Sequence, residues 1–318
     1  MRLTPREREI SDLIKKNPLI SQDELAQICG ITRSSIAVHI SNLMKKGVIR
    51  GKGYVFNEET AITILGECFL EINIEDKGET NSVVEIEYRG LPIELSSVLC
   101  NYGTKPKVLT FIGNDDVGEI FLNDLQNLEI DTSNIFKHPS KRSCRRVYIN
   151  NKLTYFEHIL WEDYLKAIST KEWAFFNCDW LIVEDKFAEE ITKRALVKKN
   201  EELPFFCTYI LGNNIADIPD YLSYYSVVVI GVETINNSDI IINKLLELNN
   251  SPEQIFVITD GKSEILVIKE NRINTFPLLP SQVFPIEDKI VFFLGGLIYG
   301  LLNNHPLRQA IRIAIGTV

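Results

Sequence analysis

The sequence predicts an α/β protein of two unequal parts, a small helical unit followed by a larger layered domain. Two capping boxes, Thr4-Pro5-Arg6-Glu7 and Ser21-Gln22-Asp23-Glu24, are typical of helix starts close to the N-terminus. From Ala61 onward, apolar strand-like runs alternate with amphipathic helical segments, which favours a parallel sheet covered by helices. The two parts also differ in net charge, because residues 1–56 contain ten Lys and Arg residues but only five Asp and Glu residues.

The overall composition excludes several classes of protein. The chain has 318 residues and a net charge of -9, and residues 57–318 carry 24 basic against 38 acidic side chains, so only the N-terminal part suits a phosphate backbone. The six cysteines include no C-x-x-C and no neighbouring histidine pair, so no metal site is expected. The charged N-terminus is unlike a signal peptide, and the longest apolar run, Ile290–Leu302, is too short for a bilayer. We therefore expect a cytoplasmic protein.

Three helices are expected in the N-terminal unit. The first follows Thr4 and stops at Asn17-Pro18, and the second carries Leu25 and Ile28 on one face before Gly30. A third begins after Thr32 and ends at Gly47. Its residues expected to face inward are Ile36, Ile40, Leu43 and Met44, and those expected to face outward are Arg33, Ser34, Ser35, His39 and Asn42.

The next segment, Val48–Phe56, has two short β-prone runs around a glycine-rich turn that carries Arg50 and Lys52. Together with L-I-S-Q-D-E-L-A and G-I-T-R-S-S-I, this pattern resembles bacterial winged helix-turn-helix regulators. The resemblance implies double-stranded DNA as partner, bound by the five outward residues of the third helix together with Arg50 and Lys52. A small helical bundle used for dimerisation is the alternative. Residues 1–56 are assigned to this domain and residues 57–60 to a linker.

Six strands are predicted in the larger domain from short apolar runs bounded by polar segments. They are Ala61–Leu65, Val108–Ile112, Trp180–Val183, Phe205–Thr208, Val227–Ile230 and Ile255–Thr259.

Longer motifs in the larger domain resemble the ribokinase-like (PfkB) carbohydrate kinases. The stretches that carry the resemblance are Phe111–Gly118 with Ile130–Ser133, then Ile64–Glu67, and Gly296–Leu302. The resemblance implies a ribokinase-like α/β/α sandwich over residues 61–318, which ends earlier than its relatives. A winged helix-turn-helix fused to such a domain is similar to a bacterial arrangement whose kinase parts lean toward nucleosides such as pseudouridine.

The departures from this family fall at its catalytic and sugar-binding positions. Val291 stands where the resemblance places the aspartate base, and Asp288, one helical turn away, is a weaker candidate. The sugar-binding positions correspond to Glu71, to Gly90 after Arg89, and to Glu94.

The nucleotide-binding positions are only partly retained, at Glu233, Thr259 and Gly261, with Glu264 in place of a second glycine. No catalytic residue, metal or cofactor is therefore expected, whereas an active kinase would need ATP and Mg.

The sequence favours a homodimeric transcription regulator whose PfkB-like domain is an inactive ligand-sensing or dimerisation module, with a sugar or nucleoside as effector. An active sugar or nucleoside kinase with an attached DNA-binding domain is the alternative. A decayed paralogue that retains DNA binding alone is a third.

Overall fold

The computed structural model describes residues 4–17, 20–45, 49, 61–78, 82–198, 203–212, 217–235 and 238–318. Two compact units result, one of Met1–Ala61 with Asn177–Asp179 and one of the remaining residues. Within the described ranges, no helix has the length and apolar character needed to cross a membrane.

The first unit contains three helices, α1 (Pro5–Lys16), α2 (Gln22–Cys29) and α3 (Arg33–Lys45). Both predicted capping boxes form. The Glu7 backbone N–H donates to Thr4 Oγ1 at 3.2 Å, and the Thr4 N–H donates to the Glu7 carboxylate at 2.7 Å. Ser21 and Glu24 repeat the same two bonds at 3.2 and 2.7 Å. These bonds satisfy N–H groups that a helix start leaves without partners, which is why the two helices begin there.

Isoleucine and leucine side chains from all three helices form the core of the first unit. The buried set is Ile10, Ile14, Ile20, Leu25, Cys29, Ile36, Ile40, Leu43 and Ile49. Two predictions were wrong: Met44 was expected to face inward but is 42% exposed, and Ile28, expected to share a face with the buried Leu25, is 57% exposed. In each case an adjacent residue, Cys29 or Leu43, takes the buried position, because neighbouring positions on a helix differ by about 100°.

The proposed wing, including Arg50 and Lys52, and the proposed linker at residues 57–60 lie outside the described residues, apart from Ile49.

The second unit alternates strands and helices along the chain. In order, its elements are β1 (Ile62–Leu65), β2 (Phe69–Asp76), β3 (Ser82–Arg89), α4 (Leu91–Asn101), β4 (Lys107–Leu109), β5 (Phe111–Ile112), α5 (Asp116–Asn127), β6 (Phe136–Lys137), β7 (Cys144–Ile149), β8 (Lys152–Glu157), α6 (Trp161–Phe176), β9 (Trp180–Val183), α7 (Asp185–Val197), β10 (Phe205–Leu211), β11 (Val227–Gly231), α8 (Asp239–Leu248), β12 (Ile255–Thr259), β13 (Glu264–Lys269), β14 (Arg272–Pro277), α9 (Ile286–Leu302) and α10 (Leu307–Ile315).

Eight of these strands form the main sheet, in the order β14-β13-β12-β11-β10-β9-β1-β4. Pairing from β4 to β12 is parallel, and β13 and β14 extend the sheet antiparallel. The predicted parallel sheet is thus confirmed, and the two antiparallel strands at its edge were missed. The predicted single strand Val108–Ile112 was wrong, because the chain leaves the main sheet after Leu109 and Phe111–Ile112 pairs with β6 instead.

A second, four-stranded sheet has the order β3-β2-β7-β8 and was not predicted. In β2, Glu71 pairs in register with Glu87 of β3 and Arg146 of β7, and Asn73 pairs with Glu85 and Tyr148. Side chains at matching register positions lie on one face, so this face of the small sheet is largely polar and charged.

Helix α9 lies in the core of the second unit and positions the site described below. Val291, Phe293, Leu294, Leu297 and Ile298 are buried in one apolar cluster with residues of the main sheet. A Cβ added to Gly300 would lie 2.6 Å from the Cα of Ala310, so the glycine permits close packing of α9 against α10. Packing therefore accounts for the Gly296–Leu302 motif.

Candidate functional site

The second unit contains two adjoining cavities beside the first turn of α9. The first has a volume of about 640 Å³ and lies between the polar face of the four-stranded sheet, the start of α4 and the start of α9. Glu184 directly after β9 and Tyr209 of β10 also line it. Parallel sheets bind ligands at the carboxyl ends of their strands, and this cavity has that position.

Arg89, the last residue of β3, binds three carboxylates of the first cavity. Its Nε donates to Glu94 at 3.0 Å, and its Nη1 lies 3.2 Å from Glu71 Oε1 and 3.1 Å from Asp288 Oδ1. Burial raises the pKa of Glu94, although the bond from Arg89 lowers it. Burial opposes the charge of Arg89, but the bond to Glu94 and the surrounding carboxylates outweigh it and raise the pKa of Arg89. The guanidinium therefore stays charged and joins three elements.

All three predicted ligand-binding residues, Glu71, Gly90 and Glu94, line the first cavity. Arg89 also lines it, although the sequence analysis did not predict that it binds ligand. Glu71 lies on β2. Gly90 has φ 127°, and a Cβ there would lie 2.1 Å from the Glu67 carbonyl oxygen. Backbone geometry alone accounts for that glycine.

A cluster of charged side chains, two of which line the first cavity, surrounds the buried Glu67. Its carboxylate accepts a hydrogen bond from the Tyr164 hydroxyl and lies 2.7 Å from Lys186 Nζ and 3.7 Å from Arg146 Nη2. The Glu67 N–H donates to Glu184 Oε2 at 2.6 Å. Burial, opposed by Lys186 and reinforced by Glu67, raises the pKa of Glu184 to about 7. Glu184 titrates near neutrality as a result.

Sequence reasoning assigned no role to Glu184 and Arg146, which both line the first cavity. Glu184 directly follows the apolar run Trp180–Val183, so its position at a strand end was the available signal. For Arg146 the sequence offers no comparable signal, because its place depends on the unpredicted four-stranded sheet.

Val291, where the resemblance to the PfkB kinases leads us to expect a base, is 5% exposed and belongs to the apolar core, although it borders the first cavity. An isopropyl group accepts no proton. Asp288 lies in the first turn of α9 with its side chain 58% exposed and in contact with Arg89. The Lys289 N–H donates to the Pro285 carbonyl at 3.0 Å, so the backbone from Lys289 onward is already bonded within the helix.

The second cavity, of about 510 Å³, lies on the other side of the α9 start and shares Leu211, Glu287 and Asp288 with the first. Of the predicted nucleotide-binding residues, Glu233 lines it. Lys262 also lines it and was not predicted.

Thr259 and Gly261 do not line the second cavity. The Thr259 hydroxyl donates to the Glu264 carbonyl at 3.0 Å and accepts the Gly261 N–H at 3.1 Å. Gly261 has φ 68°, and a Cβ there would lie 2.3 Å from the Phe284 carbonyl oxygen. Both residues thus shape the turn between β12 and β13. Among the described residues, no group of three or more His, Cys, Asp or Glu side chains is arranged to hold a metal ion.

In the first unit, α3 presents the residues proposed for DNA contact. Arg33 and Ser34 are exposed, and Arg33 Nε lies 3.6 Å from Asp23 on α2. Ser35, His39 and Asn42 were expected to face outward but are half-buried along the flank of the helix. Within the part of the chain that the structure describes, His39 Nδ1 is buried without a hydrogen-bond partner.

The outermost line of α3 consists of Ser34, Ala37, Val38 and Ser41, which are all exposed. Of these four, sequence reasoning selected Ser34 alone. The three others could have been found from the 100° spacing relative to buried Ile36, Ile40 and Leu43.

Both units are similar in sequence to known proteins. The family described as winged helix-turn-helix DNA-binding matches residues 3–50. The Escherichia coli protein described as uncharacterized sugar kinase YeiI is 28% identical over 153 residues, which are 46% of this chain and 42% of that protein. An uncharacterized protein of Methanocaldococcus jannaschii is 40% identical over 53 residues, 16% of this chain and 20% of that protein. The chain spans less than half the length of these curated relatives.

Solved structures match most of the chain at low identity. An adenosine kinase from Schistosoma mansoni in complex with 2-fluoroadenosine has a TM-score of 0.66 and 13% identity, covering 82% of this chain and 94% of its own. A nucleoside kinase from Methanocaldococcus jannaschii, described as an archaeal member of the ribokinase family, has a TM-score of 0.58 and 15% identity, covering 81% and 90%. This chain therefore combines a winged helix-turn-helix DNA-binding domain with a ribokinase-like fold similar to sugar kinases.

Proposed function

We propose that this chain is a DNA-binding transcription regulator whose sugar-kinase-like domain binds a small ligand without transferring a phosphoryl group. The observation that carries the proposal is the buried, apolar Val291 at the position of the family's base. A general base supplies roughly 10²–10⁴-fold in rate, and a buried isopropyl group supplies none of it.

The backbone directly before Val291 also opposes phosphoryl transfer. An anion hole needs backbone N–H groups aimed at the developing charge, with no competing partner. Here the Lys289 N–H is bonded to Pro285, and Ile290 and Val291 follow inside the helix. The residues present do not fit an ATP-dependent phosphoryl transfer site.

An active kinase is the second candidate, and the two adjoining cavities favour it, because a kinase must hold two substrates side by side. Asp288 borders both cavities and would have to serve as base. Its contact with Arg89 opposes that role, since the guanidinium, 3.1 Å away, already occupies a carboxylate oxygen that would have to reach the substrate.

Charge in the first cavity indicates the class of ligand. Seven carboxylates and two guanidinium groups, Arg89 and Arg146, line it. Such an excess of negative charge repels phosphate and favours a neutral or cationic polyhydroxylated molecule. An unphosphorylated sugar or nucleoside fits this description, and the carboxylates Glu71 and Glu94 would accept hydrogen bonds from its hydroxyl groups.

Regulation would follow from a ligand that binds two states of the protein with different affinities. Arg89 of β3 is ion-paired with carboxylates on β2, α4 and α9, so a ligand that replaced it at Glu71 or Glu94 would change how these elements are held together. Winged helix-turn-helix readers commonly act as symmetric dimers on half-sites, and we propose a cytoplasmic homodimer for this chain.

One experiment with the full-length protein separates the two candidates. ATP consumption is measured across a panel of sugars and nucleosides, while ligand binding is followed by thermal shift and DNA binding by titration against the region upstream of the gene. The regulator predicts ligand-induced stabilisation, a changed DNA affinity and no ATP consumption. ATP consumption that Asp288→Asn abolishes would establish the kinase and contradict the regulator.

The DNA-binding role has its own test. Affinity for DNA should fall steeply with salt, and Lys52→Ala should weaken binding to all sequences and reduce the salt slope by about one. Arg33→Ala should instead relax preference at one base pair, by about 1–3 kcal/mol if the side chain reads a base. Unchanged DNA binding by both variants would contradict the proposal that Arg33 and Lys52 contact DNA.

A further inference from the structure

The outermost line of α3 contains an exposed apolar side chain at its centre. Ser34, Ala37, Val38 and Ser41 follow the i, i+3, i+4, i+7 spacing of one helix face, and all four are exposed. Val38 is 58% exposed. The opposite face, with Ile36, Ile40 and Leu43, supplies the buried contacts of this helix.

Stability of the helix gives no reason for a valine at this position. A β-branched residue loses side-chain freedom in a helix and is a poorer helix former than alanine or the charged residues. At 58% exposure Val38 also gains only part of the free energy of burying its side chain. A contact with a molecule outside this unit would explain why an exposed position carries a valine.

We infer that Val38 contacts the 5-methyl group of a thymine in the major groove. The inference rests on the proposed DNA-binding function. Residues 1–56 hold ten basic against five acidic side chains, so the charge of this unit complements a polyanion. In the major groove of DNA, thymine is distinguished by its methyl group, the apolar partner among the base edges.

The dimensions of the outer line agree with this contact. The seven-residue step from Ser34 to Ser41 rises about 10 Å, which corresponds to about three base pairs. Alanine and serine on either side of Val38 are small, so the helix can approach the floor of a groove about 12 Å wide. Ser34 and Ser41 can hydrogen-bond with donors or acceptors of several bases and add little selectivity, which leaves Val38 to discriminate among the bases it faces.

The test uses the full-length protein and begins with selection of bound duplexes from a random pool. Each thymine of the selected site is then replaced singly by deoxyuridine, which removes the methyl group and keeps the base pair. We expect one or two positions per half-site at which the parent loses about 3–10-fold in affinity. In Val38→Ala the same replacements should change affinity less than about twofold.

Ile28→Ala is the matched control, because Ile28 is similarly exposed, at 57%, but lies on α2 away from this line. It should keep the parent's ratio of thymine to uracil affinity. Equal binding of thymine and uracil duplexes by the parent, or an unchanged ratio in Val38→Ala, would overturn the inference while leaving DNA binding intact. Failure to select any duplex would overturn the proposed function itself.

Discussion

Nη1 of Arg89 lies 3.1 Å from Oδ1 of Asp288, although 199 residues separate the two along the chain. The contact joins the end of β3 to the first turn of α9, and the same guanidinium binds Glu71 and Glu94. One cation therefore holds three carboxylates at the wall of the first cavity. Without it, their mutual repulsion would act against the closed arrangement of these elements.

Replacement of Arg89 should destabilise the second unit strongly. Arg89→Met keeps much of the side-chain volume and removes the charge, leaving two little-exposed carboxylates without a cation. We expect a loss on the order of 2–4 kcal/mol in the free energy of unfolding, measured by urea denaturation at pH 7. Arg142→Met is the control, because Arg142 is 58% exposed and its ion pairs are 3.7 and 4.0 Å long. Its loss should stay below about 1 kcal/mol, and equal losses would refute the role assigned to Arg89.

A carboxylate at residue 291 should not create a kinase. Val291→Asp places an ionisable group in the apolar core, which we expect to lower the free energy of unfolding by on the order of 2–4 kcal/mol. ATP consumption should remain absent, because the backbone of α9 from Lys289 onward is bonded within the helix. Val291→Thr, of similar shape, serves as the control for packing. Substrate-dependent ATP consumption by Val291→Asp would show that the loss of the base alone had silenced the domain.

Glu184 should make the stability of the parent protein depend on pH. Its pKa is raised to about 7 by burial, whereas the ordinary value is 4.5. The folded state thus favours the protonated form, so the stabilisation is complete below pH 4.5 and is lost as the pH rises through 7. Glu184→Gln stays neutral, so its stability relative to the parent should improve between pH 4.5 and 8 by on the order of 1–3 kcal/mol. Chemical denaturation across this range measures the difference, and parallel curves would contradict it.

Two glycines at the ends of α4 should differ in their tolerance of alanine. Gly90 and Gly103 both have positive φ, 127° and 79°. A Cβ at Gly90 would collide with the Glu67 carbonyl oxygen, whereas at Gly103 no atom lies within 4 Å. Gly103→Ala should cost about 1–2 kcal/mol from backbone strain alone. Gly90→Ala should cost at least about 3 kcal/mol by the same denaturation assay. Similar losses in the free energy of unfolding for the two variants would mean that the backbone near Glu67 moves to make room for the added Cβ.

Residues whose partners are close in sequence were predicted well. The capping boxes at Thr4 and Ser21 need only residues three positions away, and both form. The buried strands β9, β11 and β12 are continuous apolar runs, so burial on both faces made them recognisable. On α3, by contrast, Ser35, His39 and Asn42 could not be distinguished from truly outward residues by polarity, since half-buried polar side chains are common on helix flanks.

The four-stranded sheet was missed because its strands mix charged and apolar residues and because its pairing joins distant segments. β2 pairs with β7, about seventy residues later in the chain, and no local sequence pattern predicts the register of that pairing. The motif comparison still located Glu71, Gly90 and Glu94, which all line the first cavity. Arg89 could be located beside them in sequence, but its contact with Asp288 depends on how β3 and α9 pack.

The order of residues thus determined the helix starts, the parallel strands and the division of charge, and it places Val291 where the resemblance to the PfkB kinases expects an aspartate. Each of these depends on side-chain chemistry or on hydrogen bonds within a few residues, which act before any long-range packing. The tertiary structure alone decided that Arg89 holds three carboxylates and that burial brings the pKa of Glu184 to about 7. Those properties depend on desolvation and on distances between residues far apart in the chain, and both exist only once the elements have packed together.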